Sequence, residues 1–77
     1  MIIIEKIDWK EKVKSLLKKE LKERNITYSE LAKKLSEIGI DENAHNINIK
    51  ISRGTFSAIF MIQCLESIGC TNLKLKK

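Results

Sequence analysis

Four stretches of the chain repeat apolar residues every three or four positions, the period of a helix with one buried stripe. In the first, the stripe is Trp9, Val13, Leu16, Leu17 and Leu21, and Asp8 with Glu11 three residues later marks its start, which predicts a helix over 8–24. Asn25 tolerates the left-handed conformation and supplies a stop. Thr27 and Glu30 then form a capping box. Leu31, Leu35 and Ile38 face inward after it, with small Ala32 beside them, predicting a second helix over 28–38 that ends at Gly39. Gly39, Ile40, Asp41 and Glu42 make a short turn. A third helix is predicted over 43–53, with Asp41 or Asn43 as its cap and Gly54 as its stop, and Ser57 caps a fourth over 57–68.

The third and fourth segments differ in kind. Ala44, Ile47 and Ile51 give the third helix one buried face, while His45, Asn46, Asn48, Ile49, Ser52 and Arg53 point elsewhere with Lys50 at the border. The fourth is apolar nearly all round, with Glu66 its one charge, and is expected to be the central packing element, buried on several sides. Outside the helices, 2–7 is a short segment opening on the apolar Ile2, Ile3 and Ile4, and Leu73, Lys74, Leu75 and Lys76 alternate with the period of a strand. The expected class is therefore mainly all-α: one compact four-helix domain over 1–77, with room for short β segments at 1–7 and 72–76. Those segments would pair within the chain, or across a homodimer through Ile2, Ile3, Ile4, Leu73 and Leu75.

Composition narrows the function. Seventy-seven residues make one small domain with a thin core, which excludes a multidomain enzyme and a deep cleft. A hydrophobic fraction of 43% is that of a folded protein, and the longest apolar run, Met1 to Ile4, is too short for a membrane span or a signal peptide, so a cytoplasmic location is expected. Cys64 and Cys70 are too few for a disulfide scaffold and read as reduced thiols. Fifteen Lys and Arg against 10 Asp and Glu leave a net charge of +5. Most of the excess sits on the first helix, where Lys10, Lys12, Lys14, Lys18, Lys19, Lys22 and Arg24 outnumber Glu11, Glu20 and Glu23. Such a balance favours a polyanionic partner, and solubility alone is the plainer reading.

Little in the chain suggests catalysis. His45 is the sole histidine, the carboxylates are scattered over solvated faces, and Ser52 has no base at a meaningful spacing, so no catalytic residue and no small-molecule substrate are expected. His45, Cys64 and Cys70 lack the paired spacing of a metal site, and no cofactor motif is present, so neither metal nor cofactor is expected. Two helices joined by a short turn with glycine, by contrast, have the outline of a helix-turn-helix, whose second helix enters the major groove of double-stranded DNA. Asn46 and Asn48 weaken a helix interior, because their side chains compete for backbone hydrogen bonds, and such a cost points to a use. The expected base contacts are His45, Asn46, Asn48, Ile49, Lys50 and Arg53: Asn can pair with adenine, Lys and Arg with guanine or phosphate, and exposed Ile49 with a thymine methyl. The structural alternatives are that Lys50 and Arg53 serve the helix C-terminus and that Asn46 is a cap.

Thr27-Tyr28-Ser29-Glu30-Leu31-Ala32-Lys33-Lys34-Leu35, then Ile47 and Ile51 before Ser52-Arg53-Gly54, then an apolar helix ending Leu65-Glu66-Ser67-Ile68-Gly69, resembles the helix-turn-helix of phage repressor and Cro proteins over about residues 10–69. Asn46-Ile47, Lys50-Ile51-Ser52-Arg53-Gly54, Phe56-Ser57-Ala58, Phe60 and Gln63-Cys64-Leu65 are more specifically similar to a family of small bacterial proteins of unknown function. The first resemblance implies a DNA-binding transcriptional regulator, and the second brings no activity. Tyr28 stands where repressors often have Gln. It can still donate to a phosphate, as can Thr27 and Ser29, and Ser52 joins them on the same side. By the same resemblance Thr55 and Ser57, after the third helix, would face the DNA backbone. The rival reading is a protein-interaction module using Ile49 and the basic first helix. A membrane-surface role is disfavoured because Trp9, Val13, Leu16, Leu17 and Leu21 are needed for the core. RNA binding lacks a stacking platform, since Trp9 and Phe60 read as buried.

Overall fold

Four helices make up the regular structure of the computed structural model, which describes residues 8–75: α1 (Trp9–Glu23), α2 (Tyr28–Glu37), α3 (Ala44–Arg53) and α4 (Ala58–Ser67). Each starts on a side chain that accepts its free amides, an arrangement that contributes about 1 kcal/mol per helix. Asp8 accepts from the amides of Lys10 and Glu11, Asn43 from Asn46, and Ser57 from Phe60. Between the two caps Asp41 and Asn43 proposed by sequence, the structure uses Asn43. At α2 the capping box is complete, with Thr27 taking the Glu30 amide and Glu30 reaching back to the Thr27 amide.

Three helices end in the same way. In α1 the Asn25 amide donates to Lys22 and the Ile26 amide to Leu21; in α2 Gly39 donates to Ser36 and Ile40 to Leu35; in α4 Gly69 donates to Glu66 and Cys70 to Leu65. This is the Schellman arrangement, with a left-handed residue followed by an apolar one that turns back onto the helix. Asn25, Gly39 and Gly69 all have positive φ, and Ile26, Ile40 and Cys70 all pack on the core. The motif also explains one difference from the periodicity. Ile38, expected inside, is the C-cap residue and is exposed, because Ile40 takes the inward position after the turn.

The core joins Leu17 and Leu21 of α1, Leu31 and Leu35 of α2, Ile47 and Ile51 of α3, and Phe60, Cys64 and Leu65 of α4. Its aliphatic members each contribute roughly 2 kcal/mol by burial. Both α1 and α2 pack against α3 and α4. Trp9 lies outside this core at 64% exposure, with the Lys12 ammonium 5.7 Å from its ring centre. The stripe is fully buried only at Leu17 and Leu21, with Val13 and Leu16 half-buried. Glu20, read as part of the outer basic face, is buried and bonded to Arg24 at 2.7 Å.

α4 also departs from expectation. Phe60, Cys64, Leu65 and Ile68 are inside, but Ile59 and Ile62 are exposed, so this helix is covered on one side and not all round. The expected strand at 72–76 is absent over Asn72–Leu75, as is any strand among the described residues. Leu73 packs onto the core, while Leu75 is exposed. The expected segment at 1–7, with Ile2, Ile3 and Ile4, lies outside the described residues, as does Lys76.

The corner between α3 and α4 is built differently from the other helix ends. Gly54 itself adopts the left-handed conformation, is buried, and lies so close to α1 that a Cβ there would sit 2.8 Å from the Lys10 carbonyl oxygen. Gly54→Ala must therefore strain the backbone and also push α1 away. Urea denaturation should show a loss of about 3 kcal/mol or more, whereas Gly39→Ala, with nothing within 4 Å of its Cβ, should lose about 1 kcal/mol. Equal losses would refute the close packing.

Candidate nucleic-acid interface

The outer face of α3 follows from its register: Ala44, Ile47 and Ile51 turn inward, which leaves His45, Asn46, Asn48 and Arg53 exposed. The Asn46 amide is tied to the Asn43 side chain at 2.8 Å, which is a cap contact of its backbone. Asn48 accepts a hydrogen bond from the Ser52 hydroxyl at 3.1 Å, which fixes its carbonyl and leaves its amide group free to donate. Arg53 makes no ion pair among the described residues.

Two expected base contacts also have partners within the domain. Lys50 pairs with Glu42 at 2.6 Å and lies over the Phe60 ring at 4.7 Å, while its side chain remains 45% exposed. Ile49 is half-buried because it walls a shallow cleft of about 270 Å³ with Lys50, Arg53, Thr55, Phe56 and Phe60. The Phe56 and Phe60 rings meet edge-on at 5.6 Å.

Among the expected phosphate contacts, the Ser29 and Thr55 side chains are exposed and make no hydrogen bond among the described residues. The Thr27 and Ser57 hydroxyls serve as helix caps, to Glu30 and Phe60. Tyr28 is half-buried, and that burial raises its phenol pKa against the opposing pull of nearby Lys14, so it remains a protonated donor at neutral pH. The Ser52 carbonyl accepts from Lys14 at 3.2 Å, which draws α1 against the C-terminal turn of α3. A cation at that helix end is favoured by the exposed carbonyls.

Sequence spacing identified the α3 face but missed Lys14, Glu42 and the aromatic pair. Phe56 lies just before the Ser57 cap and Phe60 in the first turn of α4, so their contact crosses the helix start and is not given by helical spacing. Glu42 and Lys50 are eight apart, and Lys14 and Ser52 thirty-eight, separations that only the folded chain brings together. No group of His, Cys, Asp and Glu suited to a metal ion occurs among the described residues, and none of their helices is long and apolar enough to cross a membrane.

With this geometry in view, the chain belongs to a family described only as a domain of unknown function, DUF6471, whose profile matches residues 9–73. The match takes in all four helices and Leu73. No curated protein and no solved structure matches the chain.

The Glu42 carboxylate is held below its ordinary value of 4.5, first by the hydrogen bond from Lys50 and then by that ammonium's charge, the Asn43 amide and Asn46, with burial opposing. A depressed folded-state pKa stabilises the fold above the ordinary value, and that stability is lost as pH falls through the folded-state value. Glu20 behaves likewise, lowered chiefly by the bond from Arg24 against burial, with Cys70 adding to it. Acid unfolding should therefore steepen below about pH 4.5. Glu42→Gln should weaken the fold at neutral pH and remove part of that acid sensitivity in chemical denaturation. An unchanged pH profile would show that the Glu42–Lys50 pair contributes nothing.

Proposed function

We propose that this chain binds double-stranded DNA as a helix-turn-helix protein of the phage-repressor type, with α2 and α3 as the two helices of the motif and α3 in the major groove. It acts as a small transcriptional regulator in the cytoplasm and is not an enzyme. The observation that carries this reading is that His45, Asn46, Asn48 and Arg53 stand exposed on one helix, outside the core and in no ion pair among the described residues. Asn48, held by Ser52, has the donor and acceptor that adenine requires, and Arg53 suits guanine or phosphate.

The surroundings suit the same partner. Lys14 lies against the C-terminal turn of α3, and the Lys10 backbone packs on Gly54, so two turns of the basic helix border the face. Ser29, Thr55 and the amide end of α2 would meet phosphates. Lys50 then acts by holding Glu42 and the turn before α3 in place, and Ile49 by filling the cleft wall.

Fluorescence anisotropy with random-sequence duplex DNA tests the reading. The wild type should bind at low salt, and its affinity should drop by about tenfold or more on moving to physiological salt as phosphate contacts are lost to counterions. Arg53→Glu should abolish binding while helical circular dichroism is retained, and Asn48→Ala should matter only on a selected site, by about 1–3 kcal/mol. No binding at low salt, despite the net charge of +5, would overturn the proposal and favour a protein partner.

A further inference from the structure

The exposed side of α4 differs from every other helical face in the molecule. Ile59 is 71% and Ile62 60% exposed, Ala58 beside them is small and exposed, and the helix carries Glu66 but no cation. On α1, α2 and α3 the outward positions include Lys or Arg. A polyanion therefore has nothing to hold on this face, and two copies of a chain with net charge +5 meet there without opposing like charges.

We infer that α4 binds a second copy of this chain, the two helices antiparallel about a two-fold axis. Ile59, Ile62 and Glu66 follow one another at spacings of three and four, the seam of two packed helices. In the antiparallel register Ile59 of each copy meets Ile62 of the other, and Ala58 lets the backbones approach. Glu66, near the carbonyl end of one α4, falls beside the amide end of the other, where a carboxylate is favoured. The arrangement is self-complementary, as a two-fold interface requires. A parallel pairing would instead place the two Glu66 carboxylates together. The surface is small, so the association is weak and concentration-dependent. None of the α3 contacts enters it.

Sedimentation equilibrium of the full chain, from about ten micromolar to about one millimolar without DNA, is the test. The wild-type mass should rise from monomer to dimer. Ile59→Glu and Ile62→Glu, both at exposed positions, should weaken the dimer about a hundredfold with unchanged helical circular dichroism, because each change strikes the symmetric interface twice. The double variant Ile59→Glu/Ile62→Lys should restore dimers, since each new carboxylate faces the other copy's lysine. A wild type that stays monomeric throughout, or a dimer that survives both single changes, would overturn the inference.

Discussion

The contact between Gly54 and the backbone of Lys10 is the constraint on which the arrangement of the helices depends. At the other three helix ends the chain turns outward into solvent and comes back on an apolar residue, so those turns tolerate variation in their surroundings. At Gly54 the turn is buried and its missing side chain is the space in which the Lys10 carbonyl lies. That single close approach puts the end of α3 and the start of α4 against the first turn of α1. The bond from Lys14 to the Ser52 carbonyl, one turn further along, reinforces the same junction. Near the other end of α4, the Cys70 thiol lies 3.5 Å from Glu20, so α4 runs alongside α1 in the same direction. A domain with so few buried residues has no second layer to set these angles, which makes the backbone contact more consequential than a single apolar pair.

Charge is distributed by the same logic. The buried carboxylates are each spent on one cation, Glu20 on Arg24 and Glu42 on Lys50, and both pairs fasten a turn to a helix. Exposed pairs such as Lys19 with Glu23 contribute little. What remains is a molecule whose cations cluster around α1 and the end of α3, and whose α4 carries none. Lys50 serves the inside as well as the surface: Glu42, with a side chain only 7% exposed, takes it as partner, while the Lys50 side chain itself stays 45% exposed.

Local rules made much of the fold legible in the sequence. Asp8, Thr27, Asn43 and Ser57 are all where a cap must be, and Asn25, Gly39 and Gly69 mark their stops, because these motifs involve residues only a few positions apart. The buried stripes at Leu31 and Leu35, and at Ile47 and Ile51, followed from period alone. Legibility failed where the outcome depended on what lies opposite. Trp9 and Ile38 belong to apolar stripes by spacing, but both are exposed at helix ends, Trp9 beside the Lys12 ammonium and Ile38 as the cap residue before Ile40 turns inward. Ile59 and Ile62 look like core residues in a helix with almost no charge, and only the packing of α1 and α2 against its other side leaves them uncovered. On α3 the outward set was readable, but the pairing of Lys50 with Glu42 and the half-burial of Ile49 were not, since Glu42 and Phe60 reach them through the fold.

The two faces left without an internal role are set at a fixed angle by the same corner. From Arg53, the last residue of α3, to Ala58, the first of α4, the chain passes through Gly54, Thr55, Phe56 and Ser57. Gly54 is pinned to α1, Ser57 is pinned to the Phe60 amide, and Phe56 packs edge-on against Phe60, so none of the three is free to hinge. If α4 meets a second copy while α3 meets DNA, the separation and tilt of the two α3 helices are dictated by this four-residue corner. A two-fold protein reads half-sites at a spacing its own geometry imposes. The glycine that the packing of α1 requires is thereby also the residue that would determine which spacing of half-sites the pair can span.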